Sequence, residues 1–247
     1  MFIDKITLTN KEHLDPYLLD LPIIQDGLLE EGLSLSSNIT FFIGENGSGK
    51  STLLEAIALA AGFNAEGGGK NFRFSSRASH SNLWESIRLS RLRIPPDGFF
   101  LRAESFYNVV SAIDDMSAPG LGRPVIDSYG GVSLHKQSHG ESFMSLVEHR
   151  FSGNSLLILD EPEAALSPSK QLQLLIHINR LLCEGSQLLI ATHSPILMAY
   201  PGAEIFEFST AGIRSIAYEE SEHYRLTALF LENPERMLRH LLAEDDD

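Results

Sequence analysis

The chain has 247 residues, 43% of them hydrophobic, enough to bury one substantial core, and it reads as one domain over residues 1–247. Its 19 Lys and Arg face 33 Asp and Glu, a net charge of −14, which excludes a protein that coats nucleic acid generally, since neutralising phosphates takes many exposed cations. The apolar runs are short and interrupted, predicting a soluble chain without membrane insertion; the single cysteine, Cys183, excludes an internal disulfide, points to a reducing, cytoplasmic compartment and is expected as a small core residue.

Residues 2–9 and 38–43 read as strands separated by a connection through Pro16 and Pro22, an N-terminal antiparallel flap feeding a core strand. Then comes Gly44-Glu45-Asn46-Gly47-Ser48-Gly49-Lys50-Ser51, which fits G-x-x-x-x-G-K-[ST] at every fixed position. In that pattern the glycines let backbone N–H groups turn inward around a β-phosphate, the Lys50 ammonium reaches the β/γ oxygens, and the Ser51 hydroxyl ligates Mg²⁺. An Ala/Leu-rich helix over 51–61, closed by Gly62, supplies the required strand-loop-helix order and makes a nucleoside triphosphate the expected ligand.

Residues 64–82, rich in Gly, Ser and Arg, are expected as a mobile connection. Between residues 70 and 102 lie seven basic residues (Lys70, Arg73, Arg77, Arg88, Arg91, Arg93, Arg102) and two acidic ones, +5 against −19 for the remainder. This stretch is either an arm for an external anion or a set of cations paired with the acidic body and the nucleotide. A strand over 98–103 and a helix from about 105 lead to a second loose segment, 117–131. Ser138-His139-Gly140-Glu141-Ser142 then opens a helix with Phe143, Leu146 and Val147, placing a hydroxyl, a glycine and free N–H groups where a γ-phosphate can be held.

Residues 155–160 and 187–192 read as buried parallel strands around a helix over 168–183, with Leu172, Leu175, Ile176 and Ile178 spaced for its core face. A hairpin over 203–208 and 213–217, helices over 222–231 and 234–243, and a solvated acidic tail over 244–247 close the chain. The first strand of this group ends in Asp160-Glu161. Neighbours on an extended chain point to opposite sides, so Asp160 can face the Ser51-bound Mg²⁺ while Glu161 stands near the attacking water as its general base; an exposed acidic turn before Pro162 is the plainer alternative. His193, just beyond the last parallel strand, lies at the carboxyl end of the sheet, where a γ-phosphate sensor must sit.

In this order and spacing, residues 38–194 resemble the ATP-binding cassette (ABC) ATPase family. The resemblance implies that residues 44–52, through Thr52, are the Walker A loop, with Asn46, Gly47, Ser48, Gly49, Lys50, Ser51 and Thr52 on nucleotide. It makes Ser138, Gly140 and Glu141 part of the signature motif, residues 156–161 Walker B, residues 164–167 the D-loop and His193 the switch histidine. It further implies an α/β P-loop NTPase fold with a mostly parallel core sheet, an antiparallel flap and a small helical lobe over about 83–152. The implied activity is ATP hydrolysis with Mg²⁺, with Lys50, Glu161 and His193 catalytic, in a homodimer that sandwiches two ATP so that each signature motif completes the other chain's site.

The departures narrow the branch. His139 replaces the usual first signature glycine, Glu141 the glutamine of transporters and Ser167 the D-loop aspartate, and no glutamine lies between Walker A and residue 136. Glu104 is the best positional substitute for the missing Q-loop glutamine and joins Ser51 and Asp160 as a candidate metal ligand. Tyr17 is the candidate adenine-stacking aromatic, with core packing as its other role. The pattern is similar to the soluble branch, the heads of the SMC and RecF group and small stand-alone bacterial ATPases of AAA type, although only 87 residues separate Lys50 from Ser138, too few for a long coiled-coil rod. The expected role is to switch a protein or nucleic-acid partner, in DNA repair or phage defence; a transporter's nucleotide-binding subunit and a P-loop kinase are the competing readings.

Overall fold

The strands, in chain order, are β1 (Ile3–Leu8), β2 (Leu33–Ser34), β3 (Ile39–Gly44), β4 (Gly68–Gly69), β5 (Ile87–Arg91), β6 (Asp97–Arg102), β7 (Ser155–Asp160), β8 (Gln187–Ala191), β9 (Glu204–Ser209) and β10 (Gly212–Ile216). Strands without hydrophobic alternation need cover on both faces, and β3, β7 and β8 are buried at every position. In this computed structural model, which describes residues 1–69, 81–116, 135 and 137–243, they sit at the centre of a seven-stranded sheet ordered β10-β9-β3-β8-β7-β6-β4. β9, β3, β8, β7 and β6 run parallel, and β4 and β10 are antiparallel edges. A separate antiparallel sheet, β2-β1-β5, forms the N-terminal flap.

The period-2 alternation of strand side chains divides the core in two. Phe42, Phe100, Ile158 and Leu189 face Leu53, Leu54 and Ile57 of the helix α4 (Lys50–Ala61), together with the flap. Phe41, Phe99, Leu157 and Ile190 face the other side, against α6 (Phe106–Met116), α7 (His139–His149) and α8 (Pro168–Cys183). Five one-turn helices complete the connections: α1 (Pro16–Leu19), α2 (Pro22–Gln25), α3 (Leu28–Glu31), α5 (Leu83–Ser86) and α9 (Pro195–Met198). The chain closes with α10 (Glu222–Glu232) and α11 (Pro234–Leu241), which bury no residue. Among the described residues no helix is long and apolar enough to cross a membrane.

Several expectations change. The inner stripe of α8 is Leu174, Ile178 and Leu181, spaced i, i+4, i+7, with Leu175 partly buried beside it, whereas Leu172 and Ile176 are 56% and 70% exposed. Cys183 ends α8 beyond that stripe and is exposed rather than core. Tyr17 is 54% exposed, so it is no core residue either; Leu18 beside it takes that place. Part of the expected loose connection is ordered: Gly68 and Gly69 pair with Phe100 and Phe99, and a Cβ on Gly67, at φ +98°, would stand 2.9 Å from the Phe100 carbonyl. The rest of that connection from residue 70 to 80, the segment 117–131 and the tail 244–247 lie outside the described residues.

One buried amide joins the flap to the main sheet. Gln187, fully buried at the start of β8, accepts from the Phe2 and Ile3 N–H groups at 2.7 and 2.8 Å and donates to the Ile3 carbonyl at 2.7 Å. Gln187→Leu keeps the volume but leaves three buried backbone groups without their partner. It is expected to cost about 3 kcal/mol, at about 1–3 kcal/mol per orphaned group with partial relaxation, read as a lower urea midpoint. An unchanged midpoint would mean that β1 is held by its strand neighbours alone.

Candidate nucleotide site

Because the central strands are parallel, their carboxyl ends share one edge, and the candidate residues gather there. β3 ends at Gly44, whose φ of +133° and close approach to β9 admit only glycine, since a Cβ would lie 2.1 Å from the Phe208 carbonyl oxygen. The loop turns through Gly47 and Gly49, both left-handed, and Gly49 caps the start of α4. Glu45, Asn46 and Gly47 are exposed, Ser48, Gly49 and Lys50 are buried, and Thr52 lies in the first turn of α4. The Lys50 ammonium donates to the Gly44 and Glu45 carbonyls at 2.8 and 2.7 Å, which curls it over the loop. Burial pushes its pKa down, while the carboxylates of Glu161 and Asp160 push it back up.

Two parallel strands away, β7 delivers Asp160. The Ser51 hydroxyl donates to Asp160 Oδ1 at 2.9 Å, closing the gap between α4 and the sheet. Asp160 is 6% exposed, and burial raises its pKa to about 6 against the opposing Ser51 hydrogen bond and Arg102 charge. Arg102 is a site residue that sequence reasoning left in the basic stretch. It ends β6 in register with Asp160, places Nε 3.6 Å from Asp160 Oδ2, and pairs with Glu55 of α4. The signal was present in the expected strand 98–103, whose last residues must lie at the same edge as those of the Asp160 strand. Glu104 is 87% exposed, and the contact it makes is with Arg102, at 3.6 Å.

Glu161 adopts a left-handed backbone at φ +51° and ψ 52°, unusual for a non-glycine residue, and this turns the chain sharply out of β7. Its carboxylate Oε1 lies 3.7 Å from Nε2 of His193. His193 is tied down at two further points: its backbone N–H donates to Glu163 Oε1 at 2.5 Å, and its Nδ1 lies 3.0 Å from Nε2 of His223, in α10. Burial is the main cause that lowers the pKa of His193, and that of His223, and raises that of Glu163. Neither Glu163 nor His223 was singled out from sequence, and His223, 30 residues away, carries no local signal.

Ser138 caps α7. Glu141 Oε2 accepts from the Ser138 N–H at 2.9 Å and from its hydroxyl at 2.5 Å, so Glu141 is turned back onto the helix start as a capping box. Gly140 faces the turn after β7, where a Cβ would stand 2.8 Å from the Ala165 carbonyl oxygen. Among the described residues, no hydrogen bond joins Ser138 or Gly140 to the loop 44–52 of the same chain.

The residues fit a Mg²⁺–triphosphate. Ser51 Oγ and Asp160 Oδ1 form an all-oxygen pair of donors beside a loop with positive-φ glycines, and Arg102 Nε and His193 Nε2 are buried at the same edge without a hydrogen-bond partner. A Mg²⁺ held there would take its other ligands from phosphate oxygens and water.

The raised pKa of Asp160 carries a sign. The fold binds this proton more tightly than the unfolded chain, so ionised Asp160 opposes folding: the penalty is absent below about pH 4, grows as pH rises and is complete above about pH 6, where it reaches about 3 kcal/mol. In chelator, Asp160→Asn is therefore expected to stabilise the protein at about pH 8 and to lose that advantage by about pH 4. Urea titrations of both proteins across the range test this; an advantage equal at both ends would assign it to packing.

Two segments match known families: residues 27–91 match one described as "AAA domain", and residues 132–199 one described as "AAA domain, putative AbiEii toxin, Type IV TA system". The chain is 22% identical over 210 residues to a protein of Campylobacter jejuni named "Macrolide export ATP-binding/permease protein MacB", covering 75% of this chain and 31% of the relative's length. It is similar to a solved nucleotide-free ATP-binding cassette from an ABC transporter, at 15% identity and a TM-score of 0.49 over 95% of this chain and 98% of that one. It is also similar to the SMC head domain of Thermotoga maritima, at 14% identity and a TM-score of 0.44 over 87% and 98%. Both halves of the site lie inside AAA-type segments, and the loop, Asp160 and His193 gather at the carboxyl ends of a mostly parallel sheet, the arrangement of a P-loop NTPase fold.

Proposed function

We propose that this chain binds ATP with Mg²⁺, hydrolyses it at the edge of the sheet, and pairs with a second copy to switch a protein or nucleic-acid partner. The observation that carries the reading is the 2.9 Å Ser51–Asp160 contact beside the buried Lys50, with Glu161 and His193 on the adjoining turns. Bound Mg²⁺ supplies charge neutralisation between the phosphates. Lys50 exchanges the Gly44 and Glu45 carbonyls for β- and γ-phosphate oxygens. Glu161 orients the attacking water and takes its proton, and His193 Nε2 contacts the γ-phosphate.

Ser138 and Gly140 act on the nucleotide of the second copy. This reading is supported by their hydrogen bonding, none of which runs to their own loop among the described residues, and by Gly140's contact with the turn that follows Glu161. The proposed setting is a single cytoplasmic domain with a role in phage defence or DNA repair; of the two roles, phage defence suits the match over residues 132–199 to a family whose description includes a toxin system. The relative with export and permease functions favours a second reading, the nucleotide-binding subunit of a transporter, against which stands the missing Q-loop glutamine.

Glu161→Gln keeps the shape of the side chain and removes its basicity. ATP binding is expected to survive while turnover falls on the order of a hundredfold or more. The same variant is expected to accumulate as an ATP-bound dimer in sedimentation. Turnover at the wild-type rate would place the base elsewhere, and a monomer at saturating ATP and Mg²⁺ would overturn the sandwich.

A further inference from the structure

His193 is held by a second histidine, and the chemistry of that contact decides which face of His193 carries a proton. His193 Nδ1 and His223 Nε2 lie 3.0 Å apart, with ring centroids 5.2 Å apart, close enough for one hydrogen bond. Burial and the nearby Lys50 charge favour the neutral form of both rings, so a single proton lies between them. The outer nitrogens, His193 Nε2 and His223 Nδ1, are buried without a hydrogen-bond partner.

Two arrangements are available. If His193 donates from Nδ1, its Nε2 presents a bare lone pair to the Glu161 carboxylate at 3.7 Å, and His223 must carry its own proton on Nδ1 as a buried N–H without an acceptor. That combines a repulsion with an orphaned donor. If His223 donates from Nε2, His193 becomes the Nε2–H tautomer, its N–H facing the Glu161 carboxylate at 3.7 Å in an attractive contact longer than a hydrogen bond, and His223 Nδ1 keeps a lone pair, which is cheaper to bury unpaired than an N–H. The second arrangement is favoured because it puts its outer N–H, rather than a lone pair, against the Glu161 carboxylate.

We propose that His223 is a positioning residue that fixes His193 as its Nε2–H tautomer, the hydrogen-bond donor form directed at Glu161 and at a γ-phosphate. The inference deepens the ATPase reading and rests on it for the role of His193. The placement of His223 is itself built. Ser221, fully buried, caps α10 and donates to the Tyr218 carbonyl at 2.7 Å; the Tyr218 hydroxyl donates at 2.9 Å to the carbonyl of Pro195, two residues after His193; and the Tyr218 and Tyr224 rings pack with centroids 4.7 Å apart, tilted by 51°. The first turn of α10 is thus fastened to the segment that carries His193, while Leu226, Leu229 and Leu231 further along are exposed. α10 contributes to the site through its first turn, and moving that turn would release the His193 tautomer.

The test uses the full chain, ¹⁵N-labelled and free of nucleotide, and reads histidine tautomers by long-range ¹H–¹⁵N correlation, with His193→Gln and His223→Gln spectra giving the assignments. The wild type is expected to show His193 protonated on Nε2 alone. His223→Ala, which removes no core residue, is expected to give a mixture of tautomers. His223→Gln, whose amide N–H can donate from the same place, is expected to keep the single form. In steady-state ATPase assays His223→Ala is expected to lose about ten- to a hundredfold in kcat, the scale for partners that fix a ligand histidine, with KM changed by less than about twofold, and His223→Gln to recover most of the loss. His193 found as the Nδ1–H form, or a single Nε2–H form surviving in His223→Ala, would overturn the proposal, as would a mixed tautomer with undiminished kcat. If the wild type hydrolyses no ATP, the ATPase reading fails while the wild-type and His223→Ala spectra still decide what His223 does to His193.

Discussion

The site depends on a carboxylate placed where water is scarce. Asp160 ends a strand buried at every position, and its Oδ1 takes the hydroxyl of Ser51 from the helix that follows the loop. That contact fixes the distance between α4 and the central sheet, and it is possible because β7 lies two places from β3 in a parallel sheet, with only β8 between them. Register does the remaining placement. Asp160 is paired with Arg102 on one side and Ala191 on the other, so a cation and the approach to His193 arrive level with the carboxylate. Each of these groups is expensive to bury alone, and each is tolerated because its neighbours at the strand ends share the charge.

The same logic explains what the arginines do in an acidic chain. Arg93 lies 4.3 Å from the centroid of the Phe2 ring and donates to the Gly185 carbonyl at 3.1 Å; Arg91 donates to the Ala60 carbonyl at 2.6 Å; Arg102 serves Glu55 and Asp160. Among the described members of the basic stretch, these three are bound to their own fold. Arg88 is exposed on β5, and Lys70, Arg73 and Arg77 lie outside the described residues. An external anion would therefore have to be met by that remainder rather than by the stretch as a whole.

What was legible in the sequence had local signals. The phosphate loop carries its glycines at fixed spacing, β7 and β8 are uninterrupted apolar runs, and α8 spans the expected residues 168–183. What was not legible depends on distant pairing. β5 has no apolar run of its own and exists because β1 offers it an edge, and Gly68–Gly69 is a strand only beside β6. The buried face of α8 differs from the expected one because residues 172 and 176 form a stripe as regular as that of 174, 178 and 181; helical periodicity defines stripes, but only packing selects among them. Arg102 and His223 reach the site through register and through a tether from the last helices, neither of which has a short-range signature.

The turns at the strand ends form one connected unit. Glu161 leaves β7 in a left-handed conformation whose cost, about 1–3 kcal/mol, must be met by its surroundings. Its N–H donates to the Ala191 carbonyl at 3.0 Å, and two residues later Glu163 accepts from the N–H of His193, so the turns after β7 and β8 are cross-linked in both directions. The start of α7 is pressed against the same turn at Ala165, where only glycine fits at position 140. A displacement of α7 therefore meets the Glu161 turn directly, and a displacement of the Glu161 turn meets the backbone of His193. Strain at Glu161 is held in place by the contacts through which the helix cap, the carboxylate and the histidine can act on one another.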